Sequence, residues 1–238
     1  MKTFVFETYD LMSERCADII VSEMLNDKRV NLSITAGNTP KRMYEILEER
    51  LKAVEDLSHV HYYIFDETPI LNKNNEVVRN DSYDIFLKQI MKPCKVKEEQ
   101  ITRMTDDNYM QYPSIIENDG GLDLMLIGMG ADGHFCANMP ECTQIDKEVY
   151  KVKLSNEFPW NEPYQKTLGE NHSEYMYTLG LPALIKTKRV ILIVNGESKA
   201  EAVKRIFNGP LDENFPVSYL RLIPNLTILM DKAAASLL

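Results

Sequence analysis

Residues Leu122 to Pro140, reading Leu-Asp-Leu-Met-Leu-Ile-Gly-Met-Gly-Ala-Asp-Gly-His-Phe-Cys-Ala-Asn-Met-Pro, constrain the fold more than any other stretch of the chain. The run from Leu122 to Ile127 is short, almost entirely apolar and stops on glycine. This is the pattern of a strand buried on both faces of a parallel sheet. Gly128, Gly130 and Gly133 follow, where the backbone must turn sharply or let another group approach closely. Among them sit Asp132 and His134, an acid and a titratable imidazole two residues apart. In an open α/β sheet, ligands bind beyond the carboxyl ends of the strands. The stretch therefore reads as one wall of an active site.

The rest of the chain alternates in the same way. Thr3 to Glu7 reads as a short strand, and Leu11 to Leu25 carries Met12, Cys16, Ile19, Ile20 and Met24 at helical spacing. Val30 to Thr35 is a strand ending in Thr35-Ala36-Gly37-Asn38-Thr39-Pro40. Thr39 is predicted to cap the next helix, with Pro40 in its first turn. Val60 to Phe65 is a further strand, ending in Asp66-Glu67, and the polar segment Leu71 to Asn80 reads as a loop. A helix is expected from Asp81 or Ser82, and another over Thr105 to Asn118, broken or kinked at Pro113. From Glu141 to Tyr177 no period is evident, with Trp160, Pro159, Pro163 and many charges. A long irregular segment of this kind is expected to act as a lid, spanning about residues 141–178. Order returns with an apolar helix over Gly180 to Ile185 and the strand Val190 to Val194. A helix capped by Ser198 and stopped at Gly209-Pro210 follows, then a strand from Leu226 to Met230 and a short alanine-rich helix. Strands alternating with helices predict an α/β fold of three αβα layers around a mostly parallel sheet, in one domain over residues 1–238.

Composition narrows the function classes. A formal net charge of −9 over 238 residues argues against nonspecific nucleic-acid binding, which needs a basic surface. It leaves room for a small anionic ligand, because oriented backbone amides and one lysine suffice locally. No stretch is long and apolar enough to span a bilayer, and the N-terminus has no signal-peptide pattern. Cys16, Cys94, Cys136 and Cys142 lack paired spacing, which suits free thiols in a reducing, cytoplasmic setting. Cys136 and Cys142 lie near the candidate site, where they read as bystanders.

Four constellations carry candidate chemistry. Thr35, Gly37, Asn38 and Thr39 form a strand-to-helix turn suited to an anion, though plain connections of this kind are common. It is not a Walker motif, which needs a lysine after the second glycine. Asp66 and Glu67 end a strand and point to opposite sides of it, so one could act as a base while the other is solvated or held structurally. The reference pKa of an imidazole, ~6.5, suits proton transfer near neutrality, so His134 could be an acid/base, and Asp132 could orient it. A structural turn or a metal pair are the other readings of Asp132 and His134, but no third and fourth metal ligand stands at suitable spacing. Lys199 at a helix start opposes the helix dipole, a placement that a bound phosphate would explain.

Taken together, these segments resemble the glucosamine-6-phosphate deaminase/isomerase family and its relative, 6-phosphogluconolactonase. The resemblance rests on Thr35-Ala36-Gly37-Asn38-Thr39-Pro40, Phe65-Asp66-Glu67, Ser82-Tyr83 and Gly128-Met129-Gly130-Ala131-Asp132-Gly133-His134. The segments Gly196-Glu197-Ser198-Lys199-Ala200-Glu201-Ala202, Gly209-Pro210 and Pro224-Asn225-Leu226-Thr227 resemble the deaminase branch in particular. The resemblance implies a modified Rossmann-like fold and a sugar-phosphate ligand. It implies that Asp66 moves a proton between C2 and C1 of the open-chain amino sugar, and that His134, supported by Asp132, opens the ring. Lys199 and the Gly37 to Thr39 turn would hold the phosphate, with no metal or redox cofactor. Assembly into a homo-oligomer is left open.

Two departures stand out. The deaminases carry a glutamate after the Asn of this signature, whereas this chain has Asn138-Met139, and methionine cannot hydrogen-bond an imidazole. Glu141 is the nearest carboxylate that could substitute. In addition, Glu141 to Leu184 contains no arginine, so any phosphate contact from this segment would fall to lysine, which lacks the bidentate fork. A lactonase in which His134 activates water is an alternative, although no arginine follows the Asp66-Glu67 pair as it often does in lactonases. A non-catalytic sugar-phosphate sensor is another.

Overall fold

The computed structural model describes residues 1–169 and 171–238. In chain order the regular elements are β1 (Lys2–Phe6), α1 (Tyr9–Met24), β2 (Val30–Ile34), α2 (Lys41–Arg50), β3 (Val60–Tyr63) and β4 (Asp66–Glu67). There follow β5 (Pro69–Leu71), β6 (Val77–Asn80), α3 (Asp81–Gln89), β7 (Ile101–Thr102), α4 (Tyr112–Asn118) and β8 (Leu124–Ile127). The last are β9 (Val149–Lys153), α5 (Asn161–Leu168), β10 (Tyr175–Leu179), α6 (Leu181–Lys186), β11 (Val190–Val194), α7 (Ala200–Asn208) and β12 (Leu226–Asp231).

Seven strands pair in the order β1-β12-β11-β8-β2-β3-β7, every neighbour parallel. The chain winds outward from β2 through β3 to β7, then returns to lay β8 against the other side of β2. The winding therefore reverses between β2 and β8, and a crevice opens beyond their carboxyl ends. All four residues of β8 are fully buried, as its unbroken apolar run predicts. Each such side chain contributes about 1.5–3 kcal/mol over the exposed state. One apolar cluster, with α1, α2 and α3, covers one face of the sheet; a second, with α4, α6 and α7, covers the other.

The structure corrects several expectations. The segment expected to be irregular contains regular elements: β9 and β10 pair antiparallel, β10 pairs with β4, and α5 lies between β9 and β10 in sequence. This three-stranded sheet has its own apolar cluster, including Ile70, Met139, Tyr150, Val152 and Met176. The alternation in β9 was hidden because its outward positions are two lysines and a valine. Leu71 to Asn80 is mostly the β5–β6 hairpin rather than a loop. The strand after Val60 ends at Tyr63, and Asp66-Glu67 cross into the second sheet. Pro113 lies in the first turn of α4 and starts that helix instead of breaking it. Neither Thr39 nor Ser198 caps a helix with its side chain: α2 begins one residue later, and a 3₁₀ turn precedes α7. The alanine-rich terminus forms turns rather than a helix.

Candidate active site

A cleft of about 630 Å³ lies over the carboxyl ends of β2, β8 and β11. Three turns form its walls: Thr35 to Pro40 after β2, Gly128 to His134 after β8, and Asn195 to Lys199 after β11. Asp66 lies where the chain leaves the main sheet for the smaller one. A second cavity of about 470 Å³ shares Asp66, His134 and Cys136 with the first and extends to Met139, Trp160, Tyr164 and Met176.

The turn after β8 is closed by the Gly130 amide donating to the His134 carbonyl at 2.9 Å. His134 Nδ1–H donates to Asp132 Oδ1 at 2.8 Å, and the His134 amide reaches the same oxygen at 3.2 Å. This fixes the ring and leaves Nε2 for proton exchange. Burial alone pushes the Asp132 carboxyl up, but the hydrogen bonds and charge of His134 outweigh it and hold its pKa below the ordinary value. A Cβ on Gly130 would collide with both Asp132 Oδ1 and the His134 ring. Gly130 is thus the space in which the pair sits. Gly133 has φ +89° and packs directly under the Phe215 ring, so it too excludes a side chain.

Asp66 accepts from Ser82 Oγ at 3.1 Å. Burial raises its pKa from 3.8 to about 7; the Ser82 hydrogen bond and His134 pull it back in part. A carboxyl group poised near 7 can both take and return a proton at neutral pH. Glu67 points the other way and is 1% exposed. Its carboxylate accepts from the amides of Thr68 (2.8 Å), Ser82 (2.8 Å) and Tyr83 (3.1 Å). It therefore caps α3, whose own N-cap residue Asn80 makes no side-chain cap. Glu67 is a structural carboxylate and lines neither cavity.

The residues expected to hold an anion are brought together only in part. Asn38, Thr39 and Lys199 line the large cleft together with Thr35. Burial lowers the Lys199 ammonium pKa, while the Asp132 charge raises it. Gly37, at φ +109°, supplies the bend, but its amide donates to Gln89 Oε1 at 2.9 Å and it does not line the large cleft. Tyr9 and Tyr44 brace the turn by donating to the carbonyls of Thr39 (2.8 Å) and Thr35 (2.6 Å). Asp231, at the end of β12, accepts from the amides of Gly196 and Ala234 and so holds the turn before Lys199. Glu141 does not replace the missing glutamate: it is exposed, takes φ 68°, and lines neither cavity. Met139 is buried and stands in the second cavity with His134. Cys136 borders both cavities, but burial pushes its thiol well above the ordinary value, away from nucleophilic chemistry.

Sequence reasoning missed Gln89, Asp231 and Tyr44. A lone acid ending the apolar run Leu226 to Met230 was a usable signal for Asp231. Gln89 and Tyr44 gave none, since both lie within helices at unremarkable positions. Asn138 was quoted but its task was not: its amide donates to the Leu179 carbonyl at 2.8 Å and it accepts from the Tyr150 hydroxyl at 2.9 Å. It ties the turn after β8 to the small sheet.

The fold and cleft define a doubly wound α/β protein with a polar crevice at its topological reversal, bordered by a buried carboxyl group and by an imidazole hydrogen-bonded to an aspartate. A family model described as glucosamine-6-phosphate isomerases/6-phosphogluconolactonase matches residues 7–227. The chain belongs to this family. A glucosamine-6-phosphate deaminase of Thermoanaerobacter pseudethanolicus is 30% identical over 247 residues, spanning 100% of this chain and 95% of that one. One from Alkaliphilus oremlandii is 29% identical, spanning 98% of each. Among solved structures, a monomeric glucosamine-6-phosphate deaminase superposes with a TM-score of 0.82 at 26% identity over 100% of both chains. The 6-phosphogluconolactonase of Leishmania guyanensis shares the fold, with a TM-score of 0.72 at 19% identity over 98% of this chain and 97% of that one. No helix among the described residues is long and apolar enough to cross a membrane.

Proposed function

We propose that this chain is an amino-sugar-phosphate deaminase/isomerase that converts glucosamine 6-phosphate, or a close relative of it, to the ketose phosphate with release of the amine. One observation carries the reading: a carboxyl group held near pKa 7, Asp66, borders the same cleft as an imidazole oriented by Asp132, with Lys199 and the Thr35 to Thr39 turn also lining it. In this reading the phosphate rests on the Asn38 and Thr39 side of the cleft against Lys199. His134, through Nε2, moves the proton that opens the sugar ring. Asp66 removes the C2 proton and returns it to C1, while the aldehyde oxygen takes up the proton that the ammonium group gives up, turning C1 into a CH₂OH group and C2 into an iminium. Water adds at C2 and the carbon–nitrogen bond breaks. Every step is a proton transfer or a hydrolysis, so positioning and tuned acidity supply the catalysis.

The segment 141–178 serves as the cover of the reacting end, and the unpaired cysteines suit a cytoplasmic setting. A lactonase would need His134 as a base toward water but gives no task to a carboxyl group poised like Asp66. The test is turnover of glucosamine 6-phosphate by the purified protein, with ammonia and fructose 6-phosphate measured separately. Equal amounts of both products, lost in His134→Ala, are expected. Absence of both, or hydrolysis of 6-phosphogluconolactone at a comparable rate, overturns the reading.

A further inference from the structure

The reactive groups stand at a waist between two unlike lobes, because Asp66, His134 and Cys136 border both. The larger lobe is the polar one that holds Thr39 and Lys199. The smaller, about 470 Å³, is lined by Thr68, Asp81, Ser82 and Asp132 and, beside these polar groups, by the mainly apolar set Ile85, Met139, Trp160, Pro163, Tyr164 and Met176. This wall is built rather than slack. The Tyr164 hydroxyl lies 2.6 Å from Thr68 Oγ1, and the Trp160 ring stacks on Phe158 with centroids 5.5 Å apart. Met139 and Met176 are buried in the cluster of the small sheet.

A sugar phosphate anchored in the larger lobe and reacting at Asp66 presents its C1–C2 end to the smaller one. A bare amine at C2 can meet the carboxylates of the lobe but leaves water against Met139, Trp160, Tyr164 and Met176, whereas an apolar substituent would displace that water favourably. C1 must be a free aldehyde for the C2 proton to be acidic, so the substituent has to hang on the C2 nitrogen. We propose that the site takes 2-(alkylamino) sugar phosphates, with the N-alkyl group seated in the Met139–Trp160–Tyr164 lobe. This rests on the deaminase/isomerase reading. The chemistry is unchanged and balanced: the C2 proton passes to C1, water adds to the C2 iminium, and the carbon–nitrogen bond breaks to give the ketose phosphate. The leaving group is then a primary alkylamine instead of ammonia.

The test compares N-butylglucosamine 6-phosphate with glucosamine 6-phosphate, following ketose phosphate formation and, by calorimetry, binding. The expected kcat/KM is about tenfold or more in favour of the N-butyl compound, from the added buried apolar area. Trp160→Ala and Ile85→Gln should each erase that preference while changing the rate on glucosamine 6-phosphate by less than about threefold. Equal or poorer turnover of the N-butyl compound overturns the inference and leaves the deaminase reading standing. If neither compound turns over, the deaminase reading falls, and calorimetry decides the lobe. Tighter N-butyl binding that is lost in both variants supports the lobe, whereas equal affinities overturn it.

Discussion

The two walls of the cleft are made of different material. One is the rim of the main sheet, where each turn grows out of a fully buried parallel strand and is pinned by backbone hydrogen bonds. The other is a small antiparallel sheet with its own apolar cluster, joined to the rim through Asn138 and the β4–β10 pairing. Asp132, His134, Thr35, Asn38, Thr39 and Lys199 stand on the first wall; Met139, Trp160, Tyr164 and Met176 stand on or beside the second. In the proposed reading, proton transfer at His134 and the hold on the phosphate thus fall to the rim of the main sheet, and the shape of the reacting end to the small sheet with its own apolar cluster. Asp66 is the exception, placed at the point where the chain passes from one sheet to the other.

The largest test of this division is Asp66→Asn. A base in the transition state is worth about 10²–10⁴-fold, so kcat should fall by that order while KM stays within about threefold. A change confined to KM would move Asp66 from chemistry to binding. The pH profile sharpens the same point. Asp66 acts ionised and its pKa is raised to about 7, so kcat/KM should fall about tenfold per pH unit below 7. An acid limb near 4, the range of an unperturbed carboxylate, would break the assignment.

Lys199→Ala tests the hold on the phosphate proposed for the rim. A phosphate contact is made equally in ground and transition states, so KM should rise about tenfold with kcat little changed. An unchanged KM returns Lys199 to an ordinary surface role.

The contrast between the walls is also a contrast in what the sequence disclosed. The rim was legible because β8 and β11 are unbroken apolar runs of the right length and their ends carry glycine next to polar groups. The period of the pattern and the punctuation of the turns agree there. The small sheet was illegible for the opposite reason. β9 reads Val-Tyr-Lys-Val-Lys and β10 reads Tyr-Met-Tyr-Thr-Leu, each amphipathic only with respect to a partner distant in sequence. Pro159, Pro163 and Trp160 between them broke any period. Within the site, Asp132 and His134 could be picked out because two residues of a single turn carry the contact between them. Gln89 holding Gly37, and Asp231 holding Gly196, are bonds between positions 52 and 35 residues apart, and nothing local encodes them.

The smallest effect expected separates two neighbours that the sequence left equivalent. Glu67→Gln keeps the volume but offers one carbonyl oxygen where the carboxylate offers two. The amide group it adds faces the Tyr83 N–H, leaving a buried donor unpaired at a cost of about 1–3 kcal/mol. The melting temperature should drop by roughly 2–4 °C per kcal/mol for a chain of this size. Asp66→Asn strands no backbone donor, so its effect appears only at higher pH. The Asp66 pKa is raised on folding, so the native state holds its proton more tightly than the unfolded chain does. The stability this confers is fully present below pH 4 and is lost as pH rises to about 7. Asparagine does not ionise, so the variant should match the parent in melting temperature at pH 4 and exceed it at pH 8. Burial also raises the Glu67 pKa, from 4.5 to about 8, so Glu67→Gln melts lower at pH 4 and its deficit shrinks toward pH 8. Scanning calorimetry at the two pH values distinguishes the pair. If Asp66→Asn gained nothing at pH 8, its carboxyl group would not be held in a desolvated site, and the reason for its tuning toward neutrality would be gone.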